Sequence, residues 1–301
     1  MKKIFRSINN KLYDLELKLR GYIVMPFYIA RNKGIYVMDQ DWDNLIILDA
    51  CRYDTFVEVS GTNCPYVISR GSHTVEFIEE NFKGRKFYDT VYVTANPQVN
   101  IHARGCFYKI IPVWKYEWDE SLNTVLPQSV YKYALETEEL YPDKRLIIHF
   151  IQPHQPFIDY PELSVHGIRE DYLVAIGKKP DFRTINPWDE AARGNIDAKL
   201  IWKAYKKNLE RVLPYALRLS KKLVGKTVIT ADHGEALRIW FPIPIRIAEH
   251  PPYVHIPDLV KVPWYEVNKE ERKKISKEKL TEYESKKIKQ VARELALRCK
   301  R

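Results

Sequence analysis

The chain has 301 residues, of which 45% are hydrophobic and 29% charged, a composition that is ordinary for a globular protein with one large domain or two modest ones. Its formal net charge of +10 is concentrated at the two ends: residues 1–34 hold eight Lys and Arg against two acids, and residues 265–301 hold thirteen against seven. The long segment between them is slightly acidic, so the charge argues against a nucleic-acid-binding core.

Two absences in the sequence bear on location. No run of about 18 or more apolar residues occurs, so no membrane-spanning helix is predicted, and the N-terminus lacks the apolar core of a secretory signal. The cysteines are scattered without a CxxC pair and suggest neither a zinc knuckle nor a disulfide framework: Cys51, Cys64, Cys106 and Cys299. Together these features favour a reducing cytoplasm.

The first predicted element is a basic N-terminal segment, residues 1–36. Residues 4–20 have a roughly helical apolar pattern among basic positions, and a short apolar stretch around Pro26 follows. Such a segment can lie on an anionic membrane surface as a peripheral contact. The alternative is that it packs across the core or against a partner.

The central part of the chain, residues 37–266, alternates predicted strands and helices. Three continuous apolar runs are typical of strands buried on both faces, and a weaker run and two helical patterns lie between or beside them. The strong runs are residues 44–49, 145–151 and 226–231, the weaker run is 90–94, and the helical patterns are 74–82 and 197–223. This order predicts an α/β fold with a mostly parallel central sheet and helices on both faces.

The C-terminal segment, residues 267–301, is highly charged and contains few large apolar residues. From residue 268 onward it is predicted to form an appended, mostly solvated helix rather than a nucleic-acid-binding arm.

Polar, ligand-type residues follow all three strong strands. Asp49 ends the first run, His154 lies just beyond the second, and Asp232 and His233 end the third. Ligands of parallel α/β sheets gather at the carboxyl ends of strands, and carboxylate plus imidazole is an ordinary donor set for zinc or manganese. Taken singly, an Asp after a strand is more often a turn or cap residue, and a lone His a structural hydrogen-bonder.

Two motifs carry a resemblance to a known family. Residues 227–235, Thr-Val-Ile-Thr-Ala-Asp-His-Gly-Glu, resemble the signature that closes the metal site in the alkaline phosphatase superfamily, especially its sulfatase-like branch. Residues 153–157, Pro-His-Gln-Pro-Phe, are similar to a PHxPF/Y segment of that branch. The resemblance covers about residues 43–265 and implies an alkaline phosphatase-like fold, with Asp49, Asp232 and His233 as metal ligands.

The resemblance also implies a nucleophile at the start of the helix after the first strand. By its spacing after Gly71, Thr74 resembles the nucleophilic threonine of lipoteichoic acid synthases and phosphoethanolamine transferases, where it also contacts the metal. Ser72 is the second candidate. The helix N-terminus attracts an anion, but either hydroxyl can instead serve only as a helix cap.

Two departures from the family pattern narrow the chemistry. The segment after Cys64 does not fit the Cys/Ser-x-Pro-x-Arg pattern of formylglycine sulfatases, which moves the weight from sulfate toward phosphate esters. Phe150 stands four residues before His154, where two-metal phosphatases have an Asp, so one metal is favoured and a second stays open. His154 and His250 would then bind the transferred anion or protonate the leaving oxygen.

The sequence therefore predicts a metal-dependent hydrolase or phosphotransferase acting on a phosphate or, less favoured, a sulfate ester. The ion, whether Zn, Mn, Ca or Mg, stays open, and so does a glycan or lipid as the substrate. The alternative is a non-catalytic relative that binds at a membrane or in glycan assembly. Nucleic-acid binding is the third reading and is not expected.

Overall fold

The structure is a computed structural model that describes residues 2–29, 33–163, 168–180 and 186–277. The α-helices in this part of the chain are α1 (Lys2–Leu19), α2 (Met25–Ile29), α3 (Tyr53–Ser60), α4 (Thr74–Phe82), α5 (Gln98–His102), α6 (Val113–Tyr116), α7 (Pro127–Leu140), α8 (Arg169–Ala175), α9 (Pro187–Ala192), α10 (Ala198–Lys222) and α11 (Pro257–Val260). The strands are β1 (Asn44–Leu48), β2 (Tyr66–Ile68), β3 (Phe87–Thr94), β4 (Phe107–Pro112), β5 (Trp118–Asp119), β6 (Thr124–Val125), β7 (Arg145–Phe150), β8 (Thr227–Thr230), β9 (Ala236–Trp240), β10 (Ile245–Glu249), β11 (Lys261–Pro263) and β12 (Tyr265–Val267).

The main sheet has six strands in the order β12-β8-β1-β7-β3-β4. All neighbours are parallel except β12, which runs antiparallel to β8 at the edge. The central strand β1 is buried at every position, as expected of an apolar run covered on both faces. The predicted fold class, a mostly parallel sheet between helices, is confirmed.

The two faces of the sheet build separate halves of the core because successive strand residues point to opposite sides. On one face Ile46 and Ile148 pack with residues of α10, α7 and α3. On the other face Leu45 and Ile147 pack with Phe77 and other residues of α4. The helix α4 therefore lies against the same face as the odd-numbered residues of β1 and β7.

The N-terminal helix α1 docks on the domain through one face. Tyr13 is buried and donates a hydrogen bond of 2.6 Å to Asp189, and Glu16 forms an ion pair of 2.8 Å with Arg246 of β10. Packing against the domain, one of the two interpretations of this segment, is thus what its described residues do. In the described residues, none of the helices combines the length and apolar character that crossing a bilayer requires.

The structure differs from the sequence prediction in the C-terminal segment. Residues 268–277 contain no regular helix; they run back over the domain, where Arg272 pairs with Asp43 and the buried Lys273 pairs with Glu138. These ion pairs with the domain, one of them made by a buried lysine, outweigh the helical preference of a charged stretch. The rest of the predicted helix, residues 278–301, lies outside the described residues, and the division into three segments stays a prediction.

Candidate metal centre and catalytic site

Three side chains converge where the central strands end. Asp49 follows β1, and Asp232 and His233 follow the neighbouring strand β8; their ligand atoms all lie within 4.8 Å of one another, and all three residues are buried. Parallel strands end at the same edge of the sheet, so two residues far apart in sequence meet there. The described part of the chain thus has a carboxylate, carboxylate and imidazole group where the sequence predicted it.

The turn after β1 is held by a tyrosine from the long helix α10. Ala50 has a positive φ of 59°, which is uncommon for a residue with a side chain. The buried hydroxyl of Tyr205 donates to the carbonyl of Ala50 at 2.6 Å and accepts from the backbone N–H of Arg52 at 3.0 Å. These two bonds fix the backbone directly after Asp49, and so the direction of its carboxylate.

The turn after β8 requires close approach of backbone. A Cβ added to Gly234 would lie 2.1 Å from the carbonyl oxygen of Asp258, so glycine is needed there. Within the turn, Asp232 Oδ1 accepts from the N–H groups of Ala50 and His233 at 3.1 and 2.9 Å. Asp232 is thereby oriented with Oδ2 toward the rest of the group.

Thr74, the first residue of α4, reaches the same group. Its Oγ1 donates to Asp232 Oδ2 at 2.8 Å and lies 3.2 Å from His233 Nε2. A Cβ on Gly71 would meet the backbone nitrogen of Phe77 at 2.4 Å, so this glycine lets the chain pass close to α4 as it enters the helix. A hydroxyl at the positive end of a helix, beside a carboxylate and an imidazole, is suited to attack on an anionic group.

The donor atoms fit a divalent metal ion. Among the described residues Asp49 Oδ1 is buried without a hydrogen-bond partner, a costly state that a cation would relieve. His233 Nδ1 lies 2.8 Å from the carbonyl oxygen of Gly234, which places the proton on Nδ1 and leaves Nε2 as a lone pair facing the group. Together with Asp232 Oδ2 and Thr74 Oγ1, these atoms form a mixed oxygen and nitrogen donor set.

The charges of the group respond to one another. Burial alone would raise the pKa of Asp49, but hydrogen bonding by His149 and the charges of His154 and other histidines hold it well below its usual range. Burial lowers the pKa of His233, yet the charges of Asp232 and Asp49 outweigh it and raise this pKa. The charges of Asp232 and Asp49 thus favour a proton on His233, and binding a metal at His233 Nε2 would displace that proton.

His154 and His250 lie beside the group. The His250 ring centre is 4.5 Å from that of His233 and 5.0 Å from that of His154. The backbone N–H of His154 donates to the backbone carbonyl of Asp49 at 3.0 Å, which ties the loop after β7 to the end of β1. The His250 ring therefore lies next to His233, and the His154 ring lies next to His250.

Glu235, the last residue of the signature, contacts His250. Its carboxylate lies 3.1 Å from His250 Nδ1, and burial raises its pKa to about 8. Burial, and then the charge of His233, lowers the pKa of His250 well below its usual value. At neutral pH the pair is thus a protonated acid and a neutral imidazole, an arrangement that can hold and pass one proton.

Ser72, the second candidate for the nucleophile, lies in a different network. Its Oγ is 2.9 Å from Glu76 Oε2 and 3.0 Å from the carbonyl of Pro251, and it accepts from the N–H of Val254 at 3.2 Å. The structure brings Thr74, and not Ser72, to the group of Asp49.

Sequence reasoning missed two residues at this site. His149 of β7 is buried, with Nε2 3.5 Å from Asp49 and 3.8 Å from Asp232, and its Nδ1 lies 3.0 Å from the hydroxyl of Tyr92. An imidazole inside an otherwise apolar strand was the available signal. Asn96 donates to Asp49 Oδ2 at 2.7 Å, and nothing in its loop sequence marks it.

Comparisons with known proteins give structural likeness only. No protein-family model matches the chain, and neither does any curated protein sequence. Solved structures do match it. They include phosphoethanolamine transferases and a protein of the alkaline phosphatase superfamily.

Three of these structures show the extent of the likeness. The integral membrane lipooligosaccharide phosphoethanolamine transferase A of Neisseria meningitidis is 13% identical, over 75% of this chain and 47% of that one, with a TM-score of 0.47. The C-terminal periplasmic domain of EptC from Escherichia coli, in complex with Zn, is 12% identical, over 79% and 76%, with a TM-score of 0.45. An alkaline phosphatase superfamily protein of Vibrio parahaemolyticus is 15% identical, over 76% and 60%, with a TM-score of 0.40.

The chain spans about half the length of the membrane enzyme from Neisseria meningitidis. At these TM-scores the likeness carries no residue roles, so the roles of the site residues depend on the geometry above. The cytoplasmic location stays a prediction from the sequence.

Proposed function

We propose that the protein transfers or hydrolyses phosphate esters, with Thr74 as the nucleophile. The observation that carries this proposal is the position of Thr74 Oγ1 at the N-terminus of α4, 2.8 Å from Asp232 Oδ2 and 3.2 Å from His233 Nε2. A residue that only capped the helix would have no need of a buried carboxylate and imidazole from another strand.

The donor set supports a resident divalent ion held by Asp49, Asp232 and His233, with Thr74 completing the set. Such an ion would lower the pKa of the neighbouring hydroxyl and neutralise charge on the phosphoryl group in the transition state. Mixed carboxylate and imidazole donors are ordinary for zinc or manganese, and a carboxylate-rich set leans toward harder ions such as Mg or Ca.

The residues themselves account for the transfer. Thr74 Oγ1 passes its proton toward Asp232 and forms a bond to phosphorus, while the bond from phosphorus to the leaving oxygen breaks. That oxygen leaves with the bonding electrons and takes a proton from His250, which regains one from the protonated Glu235 that contacts it. Water or an acceptor alcohol then attacks phosphorus and gives its proton to the pair of His250 and Glu235. The bond from phosphorus to Thr74 Oγ1 breaks, and Asp232 returns the proton to Thr74.

The burial of the nucleophile favours a small transferred group. Thr74 is 6% exposed and His154 is 9% exposed, so the nucleophile sits below the surface at the end of the sheet. Only the phosphoryl end of a substrate reaches it, while the remainder, a glycan or lipid in our proposal, stays outside. A sulfate ester has the same charge-stabilising needs and is the less favoured substrate.

Paired hydroxyl variants test this proposal. Turnover of an aryl phosphate is measured with each of Zn, Mn, Mg and Ca. We expect Thr74→Ala to abolish turnover and Thr74→Ser to retain a measurable rate. Ser72→Ala should retain turnover, because the nucleophile is still present. Full activity of Thr74→Ala together with loss in Ser72→Ala would show that Ser72 is the nucleophile. No turnover of phosphate or sulfate esters with any ion, and no thermal stabilisation by one, would favour a binding role.

A further inference from the structure

The hairpin formed by β9 and β10 has an apolar tip, residues 239–245. All seven are apolar, Ile-Trp-Phe-Pro-Ile-Pro-Ile, although turns are normally rich in polar residues. Phe241 is 69% exposed and Ile243 is 42% exposed, and the two prolines between and after them are exposed as well. The tip therefore presents large apolar side chains that the fold leaves uncovered.

The helix α1 exposes a second set of apolar residues. Ile8, Leu12 and Leu15 are 60%, 50% and 52% exposed and follow the i, i+4, i+7 spacing of one helix face. Tyr13 and Glu16, on a different face, hold the helix to the domain. Docking of α1 thus leaves the apolar stripe of Ile8, Leu12 and Leu15 unused.

The tip and the stripe belong to elements that pack against each other. Glu16 of α1 pairs with Arg246 of β10, and Val24, just after α1, is buried in one cluster with Trp240 and Ile245. Phe27 of α2 meets Trp240 edge-on, with ring centres 5.9 Å apart. We call the tip and the stripe together the docking surface.

The charges beside the docking surface favour an anionic partner. Lys11 and Lys18 of α1 are exposed. The acids of the same helix are matched within the protein, since Asp14 pairs with Arg193 at 2.9 Å and Glu16 pairs with Arg246. Apolar residues on protruding elements, next to exposed lysines, are the pattern of a segment that lies in a lipid interface and is drawn to anionic lipids.

We propose that the docking surface binds the surface of an anionic lipid bilayer, with the hairpin tip inserted among the head groups. A groove-binding protein partner is less favoured because the exposed apolar residues form a projecting turn and a convex helix face. The inference concerns membrane binding and does not depend on the proposed phosphoester chemistry.

The hairpin links this surface to the catalytic site. At its base Ala236 pairs with Glu249, and the residues just outside that pair are Glu235 and His250 of the site. Phe241 of the tip stands five residues after Ala236 at the base, a distance along the strand of about 17 Å at the rise of a β-strand. Binding at the tip would hold the site at a fixed height above the bilayer.

Vesicle sedimentation with the full chain tests the proposal. We expect the protein to sediment with vesicles of equal parts phosphatidylcholine and phosphatidylglycerol, and far less with phosphatidylcholine alone or at high salt. Replacing Phe241 and Ile243 together by Ser should weaken this binding at least about tenfold, since two large apolar side chains lose their burial. The charge variant Lys11→Glu/Lys18→Glu should weaken it as well.

A matched control replaces Ile101 and Val174 by Ser; these residues are 41% and 49% exposed and lie outside the docking surface, so binding should not change. Melting curves of all variants confirm that exposed substitutions leave the fold intact. The proposal is overturned if the wild-type chain stays in solution with the anionic vesicles, or if the tip variant sediments like wild type. A dimer in light scattering that the tip variant dissociates, without vesicle binding, would assign the surface to a second copy and overturn it too.

Discussion

Replacing Asp49 by Asn tests whether the three-residue group binds metal. Asn keeps the shape of the side chain and can still accept the 2.7 Å hydrogen bond from Asn96 through its own carbonyl oxygen. The substitution removes one full negative charge and replaces one carboxylate oxygen, a metal donor, with an amide NH2 group. The fold should therefore persist while the affinity for a divalent ion falls.

The size of the effect follows from linkage between binding and stability. At a metal concentration about one hundred times the Kd, binding adds about 2.7 kcal/mol to the free energy of unfolding. Loss of an outer hydrogen-bond partner of a metal ligand already costs about 10- to 100-fold in affinity, and loss of a ligand costs at least as much. A hundredfold weaker Kd at the same concentration leaves about 0.4 kcal/mol.

The assay is thermal unfolding with a chelator and then with added Zn or Mn. With an unfolding entropy of about 2.1 cal/mol/K per residue, each kcal/mol shifts the Tm of 301 residues by about 1.6 °C, so wild type should gain about 4 °C and Asp49→Asn less than about 1 °C. The control is Asp43→Asn: Asp43 is also buried but lies at the other end of β1, where it pairs with Arg272. Its baseline Tm should fall while the gain from metal persists. An equal gain in Asp49→Asn and wild type would refute the assigned ligand set.

Two further predictions concern the residues that hold the site in place. Tyr205→Phe leaves the buried carbonyl of Ala50 without its 2.6 Å hydrogen-bond partner. We therefore expect the free energy of unfolding in urea to fall by about 1–3 kcal/mol and metal binding to weaken. The control Tyr215→Phe, at a half-buried tyrosine, should change little. Burial opposes ionisation of Glu76, but hydrogen bonds from His255 and other partners outweigh burial and lower the pKa of Glu76. The Glu76 carboxylate therefore stabilises the fold at any pH above the ordinary glutamate pKa. This contribution is lost as the pH falls through the lowered pKa. Glu76→Gln should therefore be less stable than wild type at neutral pH, with a gap that narrows below about pH 4, whereas the exposed Glu80→Gln should show a small gap at every pH. A gap for Glu76→Gln that widens in acid would contradict this reasoning, as would wild-type stability in Tyr205→Phe.

The central sheet could be predicted because its strands carry a local signal. The apolar runs at β1, β7 and β8 reflect burial on both faces, and α4 was predicted with the bounds Thr74–Phe82 that the structure has. The hairpin of β9 and β10 was not predicted, since its apolar tip resembles neither an alternating strand nor a polar turn. The first ten residues of the charged tail are not helical because ion pairs with the domain, such as Lys273 with Glu138, compete with local propensity.

Only part of the candidate site could be predicted from the sequence. Asp49, Asp232 and His233 lie at strand ends, where topology makes distant residues meet. The sequence favoured Thr74 over Ser72 only by its spacing after Gly71, because which hydroxyl faces Asp232 depends on the coordinates. Asn96 acts through a single hydrogen bond from a loop, a contact with no sequence pattern.

The phosphorylation state of Thr74 tests the central claim most directly. Wild-type protein with a resident divalent ion, mixed with an aryl phosphate and quenched in acid during the first turnover, should gain the mass of one phosphoryl group. Peptide mapping should locate that group on Thr74, and Thr74→Ala should remain unlabelled. A phosphoryl group on Ser72 or on a histidine, or turnover that survives in Thr74→Ala, would contradict the account.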